Sequence, residues 1–296
     1  MTTSTSTPLA RPDAAGGPDG AREVLVGVDG SECGLEAVRW AAREAARREA
    51  PLRILHAAPY LGQPSADGAP PPELPRARRI TAQAYTVARH TSPGVQAATE
   101  VVPGDPVPTL LRAAAGGRLV VLGSTATGAP DEYVRASVTL RVAARSPQPV
   151  VVVPRQRGTD AGRPVVAVLG VGDRDDDAAV ATFAADAATR SGVGLRLLRT
   201  RSATGSWVDD ADEWRERHPT LEVQTTDMPG LRGDQLLRAT CPTPLLVISA
   251  GHGTLLHRDL DGPHRRLLRH CTSPMALVPP VHRPELEPRE EIVALG

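Results

Sequence analysis

At 296 residues the chain is about twice the usual length of one domain, so two domains are the starting expectation. Its 34 basic and 34 acidic residues cancel to zero formal charge with no basic block, which removes the electrostatic footprint of a nucleic-acid binder. All 34 basic residues are arginine, so a Walker A phosphate loop, a Schiff-base enzyme and a kinase lysine are excluded, because each needs an ammonium group.

The stretch 1–22 is rich in Ser, Thr, Pro and Gly and is read as a disordered tail without a signal-peptide pattern. Val24–Val28 is a continuous apolar run of strand length, suited to a parallel sheet buried on both faces. Asp29-Gly30-Ser31 breaks it, and Leu35, Val38, Ala42 and Ala45 then recur at helical spacing to about Arg48, with Ser31 as N-cap. Leu52–Ala57 is the second strand. A loop holding Pro59, Pro64, Pro70, Pro71, Pro72 and Pro75 leads to a helix over about Arg76–His90 and a strand around Val95–Val102. A turn at Pro103–Pro106, a short helix through Leu110 and Ala114, and the strand Leu119–Leu122 follow. A helix over about Tyr133–Ala144 and the strand Val150–Val153 complete five strands and four helices of an open α/β unit.

The pattern then restarts. Val165–Leu169 reads as a new buried strand, followed by a helix near Ala178–Ala188 and strands at Leu195–Leu198 and Leu221–Thr225. Leu110-Leu111-Arg112-Ala113 is echoed by Leu236-Leu237-Arg238-Ala239, and Leu119–Leu122 by Leu245–Ile248, giving a repeat of about 126 residues. Arg145–Val153 is echoed by His270–Val278. The domain expectation is therefore a tail at 1–22, a first domain at 23–155, a linker at 156–163, a second domain at 164–280 and a tail at 281–296.

Several motifs bear a resemblance. Val24–Ser31 followed by Glu36–Ala41, Gly104-Asp105-Pro106, Leu119–Ser124, Ala136-Ser137-Val138 and Pro147–Val153 together look like a universal stress protein domain. The likeness covers roughly Glu23–Arg155, and the second half resembles the family mainly through its last fifty residues. It implies two tandem flavodoxin-like α/β domains of the adenine nucleotide alpha hydrolase-like type. Each would carry a mostly parallel five-stranded sheet with helices on both faces, the second in degenerate form. It also implies a cytoplasmic stress-response regulator acting by binding rather than turnover, without catalytic residues or metal.

Some members of the family bind ATP through Gly-x2-Gly-x9-Gly-Ser/Thr, where glycines let the backbone approach phosphate and a helix N-terminus offers N–H donors. Here the motif positions are Gly123, Ala126, Ala136 and Ser137, with Gly128 two residues late. Asp29 matches the family's carboxylate after the first strand, and Ala57 its adenine-side backbone contact. Asp131 and Glu132 place carboxylates in the loop, with Arg135 and Arg141 to offset them. In the second half the motif reads Ser249, His252, Gly262 and Pro263, and Gly170 stands where Asp29 does, so no phosphate cradle is expected there. The implied ligand is thus ATP or another adenine nucleotide in the first domain alone. The alternative is a nucleotide-free interaction scaffold with an unknown protein partner. The halves are expected to form an internal pseudo-dimer through Val150–Val153 and Met275–Val278, with a further homodimer left open, and neither nucleic acid nor membrane as partner.

Three further features stand outside the resemblance. His257 and Asp261 have i, i+4 spacing, yet the His-rich segment from His252 to His270 reads as a solvated surface. Asp173–Asp177 reads as a solvated helix start. Cys241 and Cys271 precede strands that are neighbours in the expected sheet. Their thiols are therefore placed near each other, with reduced cysteines the default and a redox pair the alternative.

Overall fold

The computed structural model describes residues 23–62, 73–124, 130–155, 162–170, 173–200, 216–228, 234–251 and 270–281. Both tails, most of the linker, the Pro-rich stretch 63–72 and the His-rich stretch 252–269 lie outside the described residues.

Short apolar runs, buried throughout in the strands nearest the middle of the sheet, set the frame. The first half contains β1 (Val24–Gly27), β2 (Leu52–Ala58), β3 (Ala97–Pro103), β4 (Leu119–Ser124) and β5 (Val150–Pro154). Between them run α1 (Glu32–Arg47), α2 (Leu74–Thr91), α3 (Pro106–Ala114) and α4 (Pro130–Arg145). The second half repeats the order with β6 (Val165–Leu169), α5 (Arg174–Ser191), β7 (Leu195–Arg199), β8 (Val223–Asp227), α6 (Asp234–Thr240), β9 (Leu246–Ser249) and β10 (Met275–Val278).

The helix starts are fixed by side chains that satisfy orphan backbone donors. Ser31 Oγ accepts from Gly34 N at 3.1 Å to cap α1. Asp105 accepts from Val107 N at 3.0 Å to cap α3, whose first residue is Pro106, a position where the missing N–H costs nothing. At the far end of α5, Gly192 adopts φ 64° and its N–H returns to Thr189, the left-handed stop that glycine permits without a Cβ penalty.

All strands join one ten-stranded sheet in the order β3-β2-β1-β4-β5-β10-β9-β6-β7-β8. Within each half the strands are parallel, and the two halves meet where β5 and β10 run antiparallel, Met275 opposite Val152 and Leu277 opposite Val150. This pairing covers what would otherwise be two fully apolar edges. The outer edges, β3 and β8, are instead half exposed and carry polar residues.

Alternate side chains feed two apolar layers, one on each face of the sheet. One layer packs Val24, Val26, Val165 and Ala167 under α1, α2 and α5; the other packs Leu25, Val120, Val166 and Leu246 with residues of α3, α4 and α6. Both layers run through the seam without a break. On the first face, α1 and α5 are bridged by charge: Glu44, only 4% exposed, accepts from Arg48 Nε at 2.7 Å, and Arg190 Nε of α5 lies 3.5 Å from the same oxygen. Arg48 also stacks over Phe183 of α5 at 5.7 Å from the ring centre. Burial, with repulsion from Arg48 second, holds the Arg190 guanidinium below its usual range, and Glu44 works against that drop.

Candidate functional site

Parallel strands ending at one rim leave their carboxyl ends and the following helix starts around a crevice, the usual place for a ligand in an open α/β sheet. In the first half a cavity of about 200 Å³ sits at that rim, beyond β1, β2 and β4. Its apolar walls come from Val28, Leu55, Ala57, Leu110, Leu122 and Val138. Polar groups reach it from Asp29, Ser31, His56 and Thr139.

Asp29 stands where β1 turns into α1. Its Oδ1 accepts from Ser31 N at 2.9 Å and from the Ser31 hydroxyl at 2.5 Å, an Asx turn that holds the capping serine in place. The carboxylate is exposed and lines the cavity, so the turn role and a ligand contact coexist. His56 points back across the sheet and its Nδ1 lies 2.7 Å from the Val28 carbonyl. A carbonyl only accepts, so Nδ1 carries the proton and Nε2 is the acceptor of the neutral ring. Ala57 follows on β2 opposite Val102 of β3 and lines the cavity.

Gly123 has a reason of its own. A Cβ built there would lie 2.4 Å from the Cys33 carbonyl oxygen and 2.8 Å from Gly34 N, both backbone atoms of α1. The first turn of α1 therefore presses on β4 so closely that only glycine fits. Thr139, buried on α4, ties that helix to the same place by donating to the Gly123 carbonyl at 3.1 Å.

The remaining motif positions divide differently. Ala126 and Gly128 lie outside the described residues. Helix α4 starts at Pro130, three residues before the expected Tyr133. Asp131 and Glu132 thus fall in its first turn rather than in a loop. Ala136 and Ser137 lie in its second turn, where backbone N–H groups belong to the helix's own ladder. His56 and Thr139 were missed by sequence reasoning. The available signal for each was position alone, His56 beside Ala57 and Thr139 two residues after Ser137.

In the second half a carboxylate takes up the backbone donor at the matching turn. The register puts Gly170 at the position of Asp29 and Ser249 at that of Gly123. Gly170 N donates to both oxygens of Asp177, at 3.0 and 2.9 Å. Asp173 is the α5 N-cap and accepts from Asp176 N at 2.9 Å; it does not replace Asp29. Asp176 is 1% exposed and accepts from Val281 N at 3.0 Å. The acidic run is therefore partly buried structure rather than the solvated helix start expected from its composition. At the place of His56 stands Arg199, paired through both guanidinium donors with Asp227. His252, Gly262 and Pro263 of the second motif lie outside the described residues, as do His257 and Asp261. Among the described residues no group of three or more His, Cys, Asp or Glu is arranged to hold a metal ion.

Comparison with known proteins accords with this geometry. The sequence model of the universal stress protein family matches residues 20–154, the segment that builds the first-half cavity. That segment is a universal stress protein domain. A universal stress protein of Mycobacterium tuberculosis is 27% identical over 267 residues, covering 84% of this chain and 94% of the relative. One from Mycolicibacterium smegmatis is 26% identical, with 87% and 97% covered. The crystal structure of a universal stress protein from Archaeoglobus fulgidus aligns with a TM-score of 0.68 at 15% identity, covering 88% of this chain and 96% of that one. At that identity the likeness speaks for the fold alone, and it extends over both halves. No helix among the described residues is long and apolar enough to cross a membrane.

Proposed function

We propose that the first half of the chain binds an adenine nucleotide, ATP in the first instance, and that the protein works as a cytoplasmic stress-response regulator by binding rather than turnover. The observation that carries this reading is the first-half cavity, with Asp29, His56 and the Ala57 backbone set around an apolar pocket that suits a purine. Among the described residues of the second half, Asp177 already occupies the Gly170 N–H that an anion would need. Leu55, Ala57 and Leu110 would hold the base, and Asp29 would accept from a ribose hydroxyl while keeping its turn bond to Ser31. ATP would supply a transferable phosphate and a bound-state signal, and no residue here is assigned to act on that phosphate.

A second reading is favoured by two contacts. Gly123 is required by the Cys33 backbone whether or not a ligand binds, and Ala136 and Ser137 lie inside α4 rather than ahead of it. Both facts suit a nucleotide-free scaffold that retains the fold and recruits a protein partner.

Purified protein, denatured and analysed for released small molecules, separates the two, with ATP/Mg²⁺ calorimetry beside it. One equivalent per chain, with affinity lowered at least tenfold in Asp29→Ala, is the expected result for the nucleotide reading. No released ligand and no heat would leave the scaffold. Two equivalents would mean that the second half binds as well.

A further inference from the structure

A second chemically distinct place lies at the amino ends of β9 and β10. Cys241 ends the segment that leaves α6, and Cys271 precedes β10. Their sulfurs stand 2.8 Å apart, within about 1 Å of the length of a disulfide bond. The two connecting segments are pinned to each other independently of the thiols, since Thr243 N donates to Ser273 Oγ at 2.9 Å, and Thr243 Oγ1 anchors the first of them to the Pro164 carbonyl ahead of β6 at 2.6 Å. Closing a bond between the sulfurs thus needs no backbone rearrangement.

The surroundings of the two thiols differ. Cys241 is partly exposed, whereas Cys271 is 4% exposed and lies 3.5 Å from the Ser273 carbonyl. Of the two residues, Cys241 is thus the more open to solvent. We propose that Cys241 and Cys271 form an oxidant-reactive dithiol, in which Cys241 attacks a hydroperoxide and Cys271 resolves the product to an intramolecular disulfide.

In the first step the Cys241 thiolate displaces an alkoxide or hydroxide from the peroxide. The O–O bond breaks, an S–O bond forms, and the leaving oxygen takes a proton from water to give the alcohol or water. In the second, the Cys271 sulfur attacks the sulfenic sulfur. The S–O bond breaks, the S–S bond forms, and the thiol proton leaves with hydroxide as water. Two thiols lose two electrons and one hydroperoxide gains them. The Cys271 thiol donating to Cys241 favours thiolate on Cys241, down to about 6, with Thr240 and Ser273 adding to the effect against burial. The same contact, with burial behind it, pushes Cys271 far up and keeps its proton in place until the second step. The resulting link would close a ring across 30 positions and clamp β9 to β10 beside the seam between the halves.

The test is made on the full chain. Reduced protein is treated with one to two equivalents of hydrogen peroxide, alkylated, digested and mapped by mass spectrometry. The expected result is a peptide linking Cys241 to Cys271, 2 Da lighter than its reduced parts, released by a thiol reductant while Cys33 stays alkylated. The oxidised chain should also melt roughly 5–10 °C higher than the reduced one. In Cys271→Ser, a dimedone adduct should appear on Cys241 alone. Separate alkylation of Cys241 and Cys271 after peroxide, prior oxidation of Cys33, or links only between chains would each overturn the proposal. The wild-type map decides the matter even if the serine variant does not fold.

Discussion

The two halves share strand order, register and the placement of the helices described in both, yet they treat the turn after their first strand in opposite ways. In the first, the Asp29 carboxylate lies at the edge of a cavity and shapes the turn through Ser31. In the second, that position is Gly170, and Asp177 folds back from α5 to occupy its N–H. A backbone donor that an anionic ligand would use has become an internal contact. The fold tolerates this because Asp29 and Gly170 themselves lie outside the apolar layers, which are continuous through both halves. The turn can thus change without the sheet that carries it.

The sharpest way to break the comparison is to cut the charge that joins the halves. Glu44→Ala leaves Arg48 and Arg190 facing each other beneath the surface, and a loss of about 3–5 kcal/mol is expected by chemical denaturation. Adding Arg190→Ala should recover part of it. Two separate unfolding transitions in the single variant would show that the halves are not one cooperative unit. Next comes Gly123→Ala, which drives a methyl group into the α1 backbone and should cost about 3 kcal/mol or more. Its counterpart Ser249 already carries a side chain, and Ser249→Ala should cost only about 1 kcal/mol, from the bond given up by Gly251 N.

Smaller effects separate the two turns. Asp177→Ala removes the acceptor of Gly170 N, with an expected loss of about 1–2 kcal/mol. Asp29→Ala, at an exposed turn, should cost less than about 1 kcal/mol in the same assay. Equal costs would mean that both carboxylates are simply turn formers. The mildest measurement concerns reactivity. Because the Cys241 pKa is lowered to about 6, limited iodoacetamide should label it at a rate that rises through pH 6 and levels off near neutrality. Cys271, Thr240 and Ser273 face this thiol, and Arg163 Nη1 reaches the adjoining Pro242 carbonyl at 3.5 Å. A labelling rate that rises only above pH 8 would remove the assigned thiolate.

Strand order was legible because buried parallel strands leave unbroken apolar runs such as Val150–Val153, and because the repeat at Leu236–Ala239 announced the second unit. The cavity was legible at Asp29, Ala57 and Gly123, through their place at strand ends. The cause of Gly123 was not, because it depends on how closely a helix 89 positions earlier in the chain approaches β4. Nor was the burial of Asp176, since an acidic run looks the same in one dimension whether water or a distant backbone N–H receives it.

The reversal of chain direction between β5 and β10 decides what shares a side of this slab. Met275 begins β10 beside Val152, near the finish of β5, so the approach to β10 emerges where β4 and β5 exit. Cys271 and its neighbour Cys241 therefore belong to the same rim as Asp29 and Gly123, though they come from the other repeat. A single visitor leaning on that rim would meet the pocket of one half and the sulfur chemistry of the other.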